Sequence, residues 1–267
     1  MDKHKATSAR LRALDLIRPG DGVHTFGELS FRHPGRSIVT LGIQATQLLG
    51  RWQGLPRIPG PFWQLTHSML YVGALSTAYI DGMRRASQLT VQQAADLRTY
   101  RDWVLSQTHP VGLWVRLSDI VGAQGGLISR PRFCDFAEPW QRRALEHASW
   151  FFFGRRYDHL QLAGILANLL GETAPRTYSR LLDRSRFQTV CSGAVGAVYE
   201  AVRRQAILRA RGGTDKAVEW LPCETNREWP AFAGRRWWPR ILNGVHLEKY
   251  APGHLCLNEW FRIAAEF

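Results

Sequence analysis

VCSGAVGAVY, residues 190–199, is the stretch on which the fold of this chain turns. It follows a polar entry that starts at Ser185. Apolar residues then recur at 194, 195, 198, 202, 206 and 207, the spacing of a single helix face. The pattern predicts a helix over 185–211 with Cys191 near its first turn. Arg203, Arg204, Arg209 and Arg211 gather toward its end, where cations complement the helix dipole, and Gly212-Gly213 stops it. A thiol at a helix N-terminus has its thiolate stabilised by the dipole and by free backbone N–H groups. The same groups can hold a developing oxyanion. Ser192 and Gly193 are small enough to let a substrate reach the helix end. The plainer alternative makes Cys191 a small buried hydrophobe.

A nucleophilic thiol needs an imidazole to take its proton and a third polar group to orient that ring. Working backward along the chain, LTHSMLYVGAL, residues 65–75, is rich in β-branched and aromatic residues and reads as a buried strand. His67 stands near its start, where a polar residue has no packing reason to sit. A satisfied strand-end histidine is the alternative. His24, His33, His109, His147, His159, His246 and His254 read as loop or polar-face residues with weaker claims to the base.

The remaining pattern places a helix over 7–17, a turn at 18–22, a strand over 23–29, a helix over 37–49 and a loop over 50–61. Further helices are expected over 91–107, 139–154 and 157–170, and a strand over 112–121. Helices and short strands mix without βαβ alternation, so the fold class is α+β.

The chain has 267 residues, enough to bury a core without staples. Its four cysteines form no C-x-x-C pair, which removes a zinc ribbon and a disulfide-dense scaffold. Neither H-E-x-x-H, G-x-S-x-G nor a Walker-type phosphate loop occurs. Thirty-five Lys and Arg against 22 Asp and Glu give a formal net charge of +13, so an anionic partner is expected. Nucleic acid, acidic lipid and a cell-wall polymer are the classes that fit. No apolar run reaches the ~18–20 residues of a membrane span, and the basic N-terminus has no apolar core of a signal peptide. Synthesis in the cytoplasm is therefore expected, with delivery elsewhere left to some other device.

At this point the residues resemble a family. VCSGAVGAVY is similar to the nucleophile helix of NlpC/P60 papain-like enzymes, roughly D-C-S-G-hydrophobic-V-x-x-x-Y, with Val190 where an Asp is common. The His-bearing strand THSMLYVG, residues 66–73, precedes the Cys helix, the order of the circularly permuted branch that includes YiiX-like and lecithin:retinol acyltransferase-like proteins. LIRPGD, residues 16–21, resembles that family's first strand, and GRRYD, residues 154–158, the segment before its Cys helix. The likeness spans about residues 14–202, with insertions near 30–62 and 76–110. It implies a permuted papain-like catalytic domain over 1–211 and a Trp/Arg-rich extension over 212–267 packed on it.

The resemblance implies Cys191 as nucleophile and His67 as general base. The segment LSDIV, residues 117–121, is similar to the family's strand that carries the third polar residue, which makes Asp119 the candidate and Ser118 its alternative. Tyr157 and Ser192 would flank the oxyanion. The chemistry implied is acyl transfer with no metal or organic cofactor.

The family contains both peptidoglycan amidases and enzymes of lipid acyl esters. Arg235, Arg236, Trp237 and Trp238 set cations beside tryptophans, a combination suited to an anionic membrane–water interface. A phospholipase A-like or acyltransferase activity is thus the leading expectation, and a peptidoglycan amidase or endopeptidase follows it. The nonenzymatic rival is a basic membrane- or nucleic-acid-binding protein, although no specific nucleic-acid motif occurs. A basic hydrolase with no export signal also fits an antibacterial effector, delivered to a target-cell envelope and countered by an immunity protein.

Overall fold

The computed structural model describes residues 3–27, 40–41, 43–44, 64–108, 110–123, 125–132, 134–157, 191–210 and 261–267. In chain order these form α1 (Lys3–Ala13), β1 (Gly22–Phe26), β2 (Leu65–Gly73), α2 (Thr77–Arg85), α3 (Val91–Thr99), β3 (Trp103–Gln107), β4 (Gly112–Arg116), α4 (Leu117–Ala123), β5 (Gly126–Pro131), α5 (Pro139–Phe152), α6 (Cys191–Ala210) and β6 (Phe261–Glu266). The expected loop over 50–61, most of the helices over 37–49 and 157–170, the insertion near 30–62 and the Arg235–Trp238 cluster lie outside the described residues.

The strands pair in one antiparallel sheet of order β4-β3-β2-β1-β5-β6. With helices on both faces, the class is α+β. Side chains alternate between faces with the strand period of two. Leu70 and Val72 of β2, Trp103 and Leu105 of β3 and Trp114 of β4 pack with Leu145 and Trp150 of α5 and with Val195, Val198, Tyr199, Val202 and Ala206 of α6. Their neighbours in the same strands, Met69, Tyr71 and Val104, pack with Val23 and Ile128 against Leu11 of α1 and Leu117 and Ile120 of α4. The sheet is thus a shared wall between two cores.

Local signals account for several boundaries. Thr90 and Gln93 cap α3 reciprocally: the Thr90 hydroxyl accepts from the Gln93 N–H at 3.2 Å, and the Gln93 side chain accepts from the Thr90 N–H at 2.9 Å. Pro139 opens α5, where a missing N–H is harmless. The turn before β1 requires Gly20: its φ is +93°, and a Cβ there would fall 2.1 Å from the Phe136 ring.

The structure corrects three expectations, of which the first is the helix over 7–17: it runs from Lys3 to Ala13 and leaves residues 14–17 beyond its end. Residues 91–107 are a helix only to Thr99, and 103–107 are the strand β3. Residues 112–121 are a strand only to Arg116, after which the chain turns into α4. The structure also adds three elements for which the sequence pattern gave no expectation, α2, β5 and β6. The last of these brings residues 261–266 of the C-terminal extension into the same sheet, against β5.

Candidate active site

The nucleophile candidate sits where two elements meet. Cys191 is the first residue of α6, and its apolar stripe from Ala194 to Ala206 presses that helix onto β2 and β3. The ladder between β2 and β3 begins at Leu70↔Leu105, so the preceding residues of β2 lie off that ladder. There the Cys191 thiol meets His67, in hydrogen-bonding contact with the imidazole and with the backbone N–H groups of Ser68 and Ser192. Cys191 is 2% exposed and Ser192 1%.

Burial by itself makes a thiol a weaker acid. Here that effect is outweighed by the charge on His67, its hydrogen bond, and the two amides, and the Cys191 pKa falls below the ordinary 9.0. The contrast is Cys134, also buried, where the Phe136 amide favours the anion but burial, joined by the Asp135 charge, pushes the pKa up to about 12. Two buried thiols of the same fold are therefore shifted in opposite directions.

His67 has its own second partner. Its Nε2 lies 3.0 Å from Ser106 Oγ on β3, which leaves Nδ1 for the thiol. When the ring carries two protons, Nε2–H donates to that hydroxyl and the imidazolium is held in place. Asp119, the residue expected in this role, stands elsewhere. It lies on α4, not on a strand, and its carboxylate accepts from Arg116 Nε at 2.9 Å on an exposed edge. Ser118, the alternative, is the preceding residue of the same helix, with its hydroxyl toward Asp119. Ser106 is the third member that the geometry brings to the ring.

Two further residues escaped the sequence reading. His24 is fully buried in β1, in place of the loop or polar face expected for it. Its Nδ1 is 2.8 Å from Ser68 Oγ and its Nε2 2.7 Å from Ser129 Oγ, so one ring ties β1 to both neighbours. Burial, aided by repulsion from His67, holds its pKa at about 3, and the ring is neutral. Next to Ser106, Gln107 donates from Nε2 to the carbonyls of Arg155 and Arg156 at 3.0 and 3.2 Å. It anchors the segment that carries Tyr157, whose own N–H donates to the Pro110 carbonyl at 3.1 Å. Tyr157 is half-buried there, beside the end of β3 that carries Ser106. Only a pair of polar letters closing the apolar WVL of β3 marks Ser106 and Gln107 in the sequence.

A second anchor fixes α6 from behind. The Tyr199 hydroxyl donates to the Gly20 carbonyl at 2.8 Å, and the following Asp21 accepts from Arg130 and from the Arg18 N–H. The segment 16–21 is therefore a brace for the helix that begins at Cys191. Arg235, Arg236, Trp237 and Trp238, read as a membrane contact, lie outside the described residues.

Fold and site define a class: an α+β protein that sets a thiol at a helix start against an imidazole on the central part of an antiparallel sheet. No protein-family model, no curated protein and no solved structure matches the chain.

Proposed function

We propose that this protein is a cysteine-dependent acyl hydrolase or acyltransferase of the permuted NlpC/P60 type, with a membrane phospholipid acyl ester as its substrate. The observation that carries the reading is the Cys191 thiol, more acidic than an ordinary cysteine despite burial, in contact with His67 while Ser106 holds the ring's other nitrogen.

His67 accepts the thiol proton, and Cys191 Sγ attacks the ester carbonyl carbon. The electron pair moves to the carbonyl oxygen, where N–H groups at the start of α6 face the developing charge. Collapse of this tetrahedral species expels the alcohol, which takes the proton back from His67. Water or an acceptor hydroxyl, deprotonated by His67, then attacks the thioester and frees Cys191. Ser106 acts through His67 and does not touch the substrate. The net charge of +13 favours an anionic surface as the place where substrate is met.

The test is incubation with phosphatidylglycerol/phosphatidylethanolamine vesicles, reading lipid products by mass spectrometry beside Cys191→Ala and His67→Ala. Free fatty acid and lysolipid are expected from the wild type alone. Intact lipid would overturn the lipid reading and leave the amide bonds of peptidoglycan for the same thiol chemistry. Equal product from all three proteins would overturn the catalytic assignment.

A further inference from the structure

At the opposite end of β1 from the thiol lies a second feature, a pocket of about 460 Å³ lined by four arginines, Arg18, Arg130, Arg132 and Arg262, against two aspartates, Asp21 and Asp135. Asp21 precedes β1, and Thr25, which opposes His67, is four residues farther on. At about 3.3 Å per residue the two sites are separated by roughly 13 Å of strand.

The arginines are not equally engaged. Arg130 is nearly buried, and its Nε and Nη2 are both taken by the Asp21 carboxylate at 3.0–3.2 Å. Arg18 pairs with Asp15. Asp135 turns an oxygen toward the Ala137 N–H at 3.0 Å. Arg132 and Arg262 have no ion-pair partner among the described residues. The register adds an independent observation: Arg262 of β6 stands directly opposite Arg130 of β5. Like charges in that position destabilise a sheet. The Asp21 carboxylate meets that repulsion on the Arg130 side, and a bound anion would offset the charge that Arg262 adds.

We propose that this pocket binds a phosphate-bearing anion, with the phosphoryl group between the guanidinium groups of Arg132 and Arg262 and Arg18 at the rim. A planar guanidinium matches two phosphate oxygens at once, and two unpaired guanidinium groups suit a group that presents three or four such oxygens. The volume exceeds that of bare phosphate and leaves room for the ester's organic part. The shared chemistry is a phosphate ester, whether a soluble compound or a lipid headgroup. Occupancy requires no turnover at Cys191.

Two titrations test the site. In the first, glycerol 3-phosphate is titrated calorimetrically, at constant ionic strength, into the wild type, an Arg132→Gln/Arg262→Gln variant and Arg85→Gln, a change at an exposed arginine of α2 outside the pocket. Saturable binding is expected in the wild type and in Arg85→Gln, weakened at least tenfold in the pocket variant, whose urea midpoint checks that it folds. In the second, phosphatidylglycerol and phosphatidylcholine vesicles are sedimented with Cys191→Ala, with and without the two pocket substitutions. Retention on phosphatidylglycerol lost with the two arginines assigns the lipid headgroup. Retention that survives, beside tenfold weaker glycerol 3-phosphate binding, assigns the soluble ester. If neither probe binds saturably, or the two substitutions leave both unchanged, the site does not exist.

Discussion

Cys191 is a stronger acid here than a cysteine in water because each group that touches its sulfur favours the anion: an imidazole and two backbone amides. The ultraviolet thiolate absorbance of wild type minus Cys191→Ala should therefore show a midpoint below pH 9.0. His67→Ala should move that midpoint up, since burial then acts with less opposition. Ser106 should matter through the ring alone. A hydrogen bond to a charged partner is worth about 1.5–3 kcal/mol, so Ser106→Ala should lower kcat by roughly ten- to a hundredfold. KM should stay near the wild-type value, and Ser106→Thr should recover part of the loss. Asp119→Ala, which only frees Arg116 on the surface, should leave turnover unchanged. Cys191 and His67 were legible because each is a chemically unusual letter at the start of a clear element. Ser106 was not, because serine is common and gives no sign of which ring it will meet.

Elements were legible where their ends are punctuated. The Thr90–Gln93 cap marks the start of α3, but nothing in Tyr100-Arg101-Asp102 announces its end, so β3 vanished into a helix expected to reach 107. That strand exists because β2 and β4 pair with it on either side, a long-range cause that local pattern does not carry. β1 is the element on which most depends. At its start, the buried Asp21–Arg130 pair joins it to β5. Arg130→Ala would strand a buried carboxylate and should cost about 3–5 kcal/mol in a urea titration. In its middle, His24 gives the fold a pH dependence of known sign. Its folded pKa is about 3, below the ordinary 6.5, so below pH 6.5 the unfolded chain binds a proton that the folded chain refuses. Stability falls as pH drops through that window, by about 2 kcal/mol between pH 6.5 and 4.5. Urea titrations at pH 6.5 and pH 4.5 on the wild type should show this loss, and the same two on His24→Gln should lack it.

At the scale of the whole molecule, two cores share one sheet, and each half of the Cys191–His67 pair belongs to a different layer. His67 comes with the sheet; Cys191 comes with a helix that the Tyr199–Gly20 bond and an apolar stripe hold against it. The α+β class was legible from the absence of βαβ alternation, but the strand order was not, because β5 and β6 were unread. Among the described residues no helix is long and apolar enough to cross a membrane. The net charge of +13 belongs to the chain as a whole and acts over a distance that salt shortens, from about 10 Å at 0.1 M to 3 Å at 1 M. Sedimentation with phosphatidylglycerol vesicles should retain severalfold less protein in 0.5 M than in 0.05 M sodium chloride. Retention insensitive to salt would contradict a charge-driven encounter.

The thiol's acidity is assembled from parts that lie far apart in the chain. Until α6 docks, Cys191 has neither the His67 imidazole nor the Ser68 amide at its sulfur and is closer to an ordinary thiol, mostly protonated at neutral pH. Peroxide and electrophiles react with thiolates far faster than with thiols. Folding therefore brings two opposed changes to Cys191 at once: a shift toward the anion that oxidants attack, and near-complete cover from solvent.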